Sequence, residues 1–275
     1  MRIITAVATI AFAATPAHAE SHRLDKKWET QAQLKIPESV LFDAERKVLY
    51  VSNIDGEPWT NDGKGSIGKV DLDGKVIAVD WVSGLNAPKG MALRGSRLYV
   101  GDVTHVVVID IDKGAVAERI AVSGAEGLND VAIDSTETVY VSDTKTKKVF
   151  AIKDGKSSVY LENLTGPNGL LFHDGALYVL DGEGLYRVGP DRSLKLLSDG
   201  MPGGVDGVEN VTGNEFIVSC WHGTIYYVKG YGTRAVLLDT HDQKINSADI
   251  GYDPRNRVVY VPTFCKNTVV AYDLK

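Results

Sequence analysis

The chain is poor in helical patterning. Beyond about residue 15 no stretch repeats its apolar side chains every three to four positions, and no later run of about 18 apolar residues exists. A helical bundle is thereby excluded, and nothing argues for a membrane anchor. Cysteine is scarce: Cys220 and Cys265 are the two thiols of 275 residues. That is too few for a disulfide-built scaffold, and spacing does not decide whether they pair. Basic clusters are missing as well. Thirty Lys and Arg stand against 36 Asp and Glu, for a net charge of −6, so nucleic acid and anionic membranes are not expected partners. No Gly-x-Ser-x-Gly nucleophile elbow occurs. Gly63-x-Gly65-x-x-Gly68 has dinucleotide-loop spacing but leads into a strand and an Asp-Gly turn instead of a helix, which removes the helix N-terminus that phosphate binding needs.

What is present begins with a leader pattern. Met1-Arg2, an apolar segment from Ile3 to about Thr15, and Ala17-His18-Ala19 before Glu20 read as a secretory signal peptide over residues 1–19, cleaved after Ala19. The expected location is periplasmic or secreted, with a single domain over residues 20–275. Loss of Arg2 would move the net charge from −6 to −7.

The rest is short Val, Ile, Tyr and Leu runs cut by Gly, Asp and Asn turns, which is β patterning. The runs repeat. Tyr50, Tyr99, Tyr140, Tyr178, Phe216 and Tyr260 each open an aromatic-apolar strand, and the spacing of about 42 residues is that of a propeller blade. Hairpins with Asp-Gly or Lys-Gly tips follow at Asp73-Gly74, Lys113-Gly114 and Asp154-Gly155. The expected fold is all-β: a six-bladed β-propeller with four antiparallel strands per blade. The sixth unit ends at Leu274 without a fourth strand. Trp28 to Leu34 can supply it and close the ring with the N-terminal segment. Gly56 to Gly65 is a polar insertion, expected as a loop beside one mouth of the channel.

The first strand of each blade lies nearest the axis, so equivalent positions at its start converge. Aligning the six units places Glu38, Lys89, Asn129, Asn168, Asp206 and Ala248 in that column. Polar groups drawn together beside apolar strands need partners. Two carboxylates and two amides form an all-oxygen set of charge −2, suited to a hard divalent cation, Ca²⁺ first and then Mg²⁺ or Mn²⁺. Zn²⁺ on His or Cys ligands is disfavoured, because no histidine occupies the column. Asn and Asp also cap turns, and that reading stays open on the column alone. The second column, Asn53, Asp102, Asp143 and Asp181, is expected to cap turns. Glu209 is expected to play a supporting role, and Cys220 beside His222 to be a packed thiol.

Pro37-Glu38-x-x-x-x-Asp43, Gly166-Pro167-Asn168-Gly169-Leu170 and Val205-Asp206-Gly207 resemble the three metal-binding signatures of the senescence marker protein/gluconolactonase (regucalcin-like) family of six-bladed propellers. The similarity covers essentially the whole chain after the leader. It implies that Glu38, Asn168 and Asp206 hold a divalent cation at the channel floor and that Asn129 contacts substrate. It implies hydrolysis of a lactone or related ester, with Asp206 as the candidate general base. Lys89 departs from the pattern and is expected to face substrate or pair with Glu38. The arginine that sugar-lactone enzymes place by the substrate has no counterpart, so a sugar is not implied. A non-catalytic propeller that binds a protein or small ligand is the competing expectation.

Overall fold

A strand packed on both faces needs apolar side chains at every position, whereas an outer strand can alternate or turn polar. That rule sorts the strands of this protein. The computed structural model describes residues 22–275; the expected leader lies outside them. An N-terminal strand β1 (Leu24–Glu29) precedes five complete antiparallel sheets, each a blade in chain order. Blade one is β2 (Pro37–Asp43), β3 (Val48–Asn53), β4 (Gly65–Asp71) and β5 (Val76–Leu85). Blade two is β6 (Pro88–Arg94), β7 (Arg97–Asp102), β8 (His105–Asp110) and β9 (Ala115–Ala121). Blade three is β10 (Leu128–Ile133), β11 (Val139–Asp143), β12 (Lys148–Lys153) and β13 (Lys156–Leu161). Blade four is β14 (Pro167–His173), β15 (Ala176–Asp181), β16 (Gly184–Val188) and β17 (Leu194–Ser198). Blade five is β18 (Val205–Thr212), β19 (Glu215–Cys220), β20 (Thr224–Lys229) and β21 (Thr233–Asp239). Blade six is β22 (Gly251–Asp253), β23 (Val258–Pro262) and β24 (Val269–Leu274), with β1 as its outer strand. The only helices among the described residues are two single 3-10 turns, so no helix there is long and apolar enough to cross a membrane.

The second strands β3 and β15 are buried at every position, while the outer β9 is mostly exposed. The apolar core is accordingly split into layers between neighbouring blades. Tyr50 and Leu98 meet between blades one and two, Val108 and Phe150 between two and three, and Val149 and Leu177 between three and four. Tyr178 and Phe216 meet between four and five, Ile217 and Val259 between five and six, and Val51 and Tyr260 between six and one. The aromatic column therefore builds the walls between blades.

Closure is as expected in kind but not in residues. β1 pairs antiparallel with β24, Leu24 opposite Leu274 and Glu29 opposite Val270. The strand lies four residues earlier than the Trp28 to Leu34 reading. Leu34 is instead buried beneath the crossing into β2. Trp28 locks the seam: its indole N–H donates to the Leu72 carbonyl at 2.9 Å and its ring tilts against Tyr260 at 5.9 Å.

The hairpin tips follow the sequence. Asp154 and Gly155 both have positive φ, 51° and 71°, the pair of values that a two-residue type I′ turn requires. Cys220 is buried and Cys265 exposed, and both are free thiols. Burial pushes the Cys220 thiol up to about 12, so it is an inert packing group.

Candidate functional site

Glu38, Lys89, Asn129, Asn168 and Asp206 each occupy the second position of the inner strand of their blade. In all five blades the register against the second strand breaks at this point, between Pro37 and Ser39, Pro88 and Met91, Leu128 and Val131, Pro167 and Leu170, and Val205 and Val208. A bulge re-aims side chains and frees a backbone N–H. Serine hydroxyls on the second strands take up that donor: Ser52 accepts from Ser39 N, Ser142 from Asp130 N and Ser219 from Gly207 N, each at 2.9 Å. The recurrent Ser of the aromatic strands thus stabilises the distortion that turns the ring inward. Ala248, the sixth member, is fully buried and packs with Ile54, Ala87, Val103 and Phe264.

The second column does cap turns. Asp102 accepts from Asn86 and Ala87 N–H, Asp143 from Glu126 and Gly127, and Asp181 from Thr165 and Gly166. Each fixes the loop that enters its own blade, so the ring residue two to three positions after the capped amides is held by a rigid entry.

Glu38, Lys89, Asn129 and Asp206 are 3–6% exposed, and Asn168 is half-buried. Asn168 Nδ2 donates to Asp206 Oδ1 at 3.1 Å, and Lys89 Nζ lies 3.6 Å from Glu38 Oε1. Asn129 donates to Thr144 Oγ1 at 3.1 Å, and Thr144 in turn donates to the Pro167 carbonyl, which orients the Asn129 amide. Two buried oxygens remain without any donor: Glu38 Oε2 and Asn168 Oδ1.

Beneath this ring lies a layer that sequence reasoning missed. Asp130 and Asp249 follow directly after Asn129 and Ala248. The matching positions in three other blades are Gly90, Gly169 and Gly207. A Cβ on Gly90 would collide with Asp130, and one on Gly207 with Asp249 and the Ile250 backbone. The glycines are the signal: they make room for aspartates reaching across from the next blade. Asp130 accepts from Val131 N and Leu170 N, both at 2.6 Å, and Asp249 accepts from Ser39 Oγ at 2.5 Å. Asp130, Asp249 and Glu209 face a cavity of about 520 Å³ that opens toward the far end of the inner strands, walled by Leu41, Phe42, Leu171 and Phe172. Glu209 therefore belongs to the opposite end of the channel from the ring.

Five carboxylates gather along one axis, Glu38, Asp130, Asp206, Glu209 and Asp249, with Lys89 as the cation among them. Burial pushes every one of them above the usual carboxylate range. For Asp206 the charges of Glu38 and Asp249 add to burial, and Lys89 opposes it. Asp249 and Glu209 both rise to about 8. Such a cluster holds either protons or a cation. The ring residues fit a divalent ion: the unpartnered Glu38 Oε2 and Asn168 Oδ1 and the Asp206 carboxylate are hard oxygen donors on three blades. No group of three His, Cys, Asp or Glu side chains suited to a metal occurs among the described residues, so the set depends on its amide.

The insertion between β3 and β4 lies at this mouth. It places Trp59 with its ring 4.4 Å from Lys89 Nζ and 5.0 Å from Lys145 Nζ. The indole thus roofs the ring from blade one across to blades two and three.

Glu209 gives a measurable signature. Its folded value of about 8 exceeds the ordinary 4.5, because burial and then the Asp249 charge disfavour ionisation. The folded state keeps a proton that the unfolded chain has released. This contribution is complete below about pH 4.5, is lost across the interval up to 8, and is flat above it. Urea midpoints are expected to fall between pH 5 and pH 8.5, and Glu209→Gln to reduce that fall. At pH 8.5 the variant should exceed the parent by on the order of 1–3 kcal/mol; equal slopes for the two proteins would refute the assignment.

Comparison with solved structures places these features in context. A putative gluconolactonase superposes with TM-score 0.70 at 15% identity over 93% of both chains. A gluconolactonase from Xanthomonas campestris gives 0.69 at 16% identity, covering 89% of this chain and 88% of its own. A virginiamycin B lyase from Staphylococcus aureus gives 0.66 at 13% identity, covering 93% of this chain and all of that one. The likeness is one of fold. Gluconolactonases thus stand among the structural neighbours of this six-bladed propeller, as the resemblance in sequence leads one to expect. No family profile matches the sequence, and no curated protein matches it.

Proposed function

We propose that the protein is a divalent-cation-dependent hydrolase of a lactone or related ester, acting in the periplasm or outside the cell once residues 1–19 are removed. The observation that carries this reading is the pair of buried, donorless oxygens, Glu38 Oε2 and Asn168 Oδ1, flanking Asp206. Glu38, Asn168 and Asp206 would hold the cation, Ca²⁺ in the first place and Mg²⁺, Mn²⁺ or Zn²⁺ as alternatives. When bound, it supplies a positive charge that polarises the substrate carbonyl and eases deprotonation of water. The Asp206 oxygen not engaged by Asn168 takes the proton as water oxygen bonds to the carbonyl carbon. The ring C–O bond then breaks and the proton passes to the departing alkoxide. Asn129, held by Thr144, and Lys89 face the same mouth and are the substrate-binding groups. Trp59 roofs them.

Purified protein is to be assayed on a panel of aliphatic, aromatic and sugar lactones with a pH indicator, after chelation and after adding back Ca²⁺. Hydrolysis that disappears with chelator and returns with cation is expected. Inertness toward the whole panel under every cation would overturn the catalytic reading. One observation favours a non-catalytic alternative: the ring is roofed by Trp59, and the cavity of about 520 Å³ opens at the other mouth. A chain of a nidogen–laminin complex shares the fold at 18% identity and TM-score 0.63, covering 79% of this chain and 84% of its own. A propeller that binds a ligand without turning it over would retain cation binding and show no hydrolysis.

A further inference from the structure

We infer that Lys89 is a tethered cation sharing Glu38 with the divalent ion, and that it makes the ion an exchangeable occupant of the ring instead of a permanent structural one. This rests on the reading of Glu38, Asn168 and Asp206 as the cation site. The geometry that carries it is the division of labour on one carboxylate. Glu38 Oε1 faces the Lys89 ammonium at 3.6 Å, and Oε2 has no donor. Both side chains are nearly sealed from water, at 3% and 6% exposure, so their charges are weakly screened. Lys89 has no second carboxylate within ion-pair reach among the described residues, and the Trp59 ring lies 4.4 Å from its Nζ. Trp59 attracts a cation through its ring face and holds the ammonium where it stands.

Charge counting gives the consequence. Glu38 and Asp206 alone would neutralise a divalent ion completely. With Lys89 beside them the site carries −1, and the bound ion leaves an uncompensated positive charge. Two positive centres then compete for one carboxylate in a place where water screens little. Removing the lysine charge should tighten cation binding by about tenfold or more. The excess positive charge in the native protein has a use: it remains to attract the carbonyl oxygen of a substrate, or the carboxylate of the product.

The test measures Ca²⁺ affinity by isothermal titration calorimetry on chelator-treated parent, Lys89→Met and Lys89→Arg. The expected result is binding to the parent, at least tenfold tighter binding to Lys89→Met, and parent-like affinity for Lys89→Arg, which restores the charge. Binding to the parent with equal or weaker binding to Lys89→Met overturns the inference and leaves the cation site standing. Absence of binding to all three proteins overturns both. Binding to Lys89→Met alone overturns both the inference and the cation-dependent reading, because the ammonium then fills the parent's site by itself. Because loss of Lys89 leaves Glu38 unpaired, melting curves with and without Ca²⁺ accompany the titration. A larger Ca²⁺-induced rise in Tm for Lys89→Met than for the parent is expected even where the bare variant is unstable, and an equal rise overturns the inference.

Discussion

Asp206→Asn is expected to lower cation-dependent hydrolysis by about a thousandfold while leaving the bare protein at least as stable as the parent. The two effects have one origin. Asp206 is 3% exposed and sits near Glu38 and Asp249, with Lys89 as the cation that opposes them. Burial and the neighbouring negative charges raise its folded pKa well above the value in the unfolded chain. The favourable contribution of its proton is therefore complete below about pH 4 and is lost as the pH rises, so at neutral pH the native state carries a cost. Asparagine keeps the shape, removes the charge and can still bond the Asn168 amide, so that cost disappears. Replacing a poorly paired buried charge is commonly neutral or stabilising. The functional loss runs the other way. Without the carboxylate the ring has a single acid left, and that acid is shared with Lys89. Losing a cation that stabilises developing charge by several kcal/mol corresponds to about 10³ in rate. The checks are initial rates at saturating Ca²⁺, calorimetric titration of Ca²⁺, and urea unfolding at pH 7. A variant that keeps a tenth of the activity, or that unfolds at markedly lower urea, would sink the assignment of Asp206.

Gly169→Val is expected to be the most damaging single substitution in the inner strands, costing roughly 3–5 kcal/mol and abolishing cation binding in any protein that still folds. Gly169 has no unusual backbone angle, and the requirement is space. A Cβ there would collide with the Asp206 carbonyl of the next blade and sit 2.8 Å from Leu180 Cδ1. The collision partner is backbone, so no side-chain rotation relieves it. Blades four and five must move apart at the point where Asn168 and Asp206 are joined at 3.1 Å. Stability and cation affinity are therefore lost together, whereas a substitution on an outer strand should affect neither much. Gly169→Ala serves as the graded control, and thermal melts with Ca²⁺ titration provide the readout. An alanine variant whose Tm stays within about a degree of the parent would show that the blades meet less closely here.

The reach of the sequence follows from which strands carry a strong pattern. Second strands, buried on both faces, show unbroken apolar runs, and the aromatic column from Tyr50 to Tyr260 counts the blades from them alone. Outer strands carry little signal. β1 reads Leu-Asp-Lys-Lys-Trp-Glu, with half-buried and exposed positions intermixed, so a more apolar stretch beginning at Trp28 looked like the better strand. The ring residues were legible because turns announce the start of each inner strand. Asp130 and Asp249 were not, because one residue further on, strict alternation would point them away from the ring. The bulge that relaxes alternation shows in the sequence only as a recurring serine one strand away and as glycine at three of the six matching positions. Lys89 was legible as an anomaly, and its partner Glu38 as one of two options.

The seam between β1 and β24 sets a timetable. The first described strand must wait for the last one to be made: Glu29 Oε1 meets the Thr268 hydroxyl across 239 positions of chain. Blades one to five can assemble from neighbouring segments as they emerge, but the circle stays open until Val269–Leu274 has left the ribosome. Until then β1 has no partner and blade six shows a bare edge, the kind of surface on which other strands dock. Pairing at such separation is slow compared with hairpin formation. The latch is therefore the point at which a growing chain is most exposed to aggregation, and a nascent chain cut short by a handful of C-terminal residues would remain in that state.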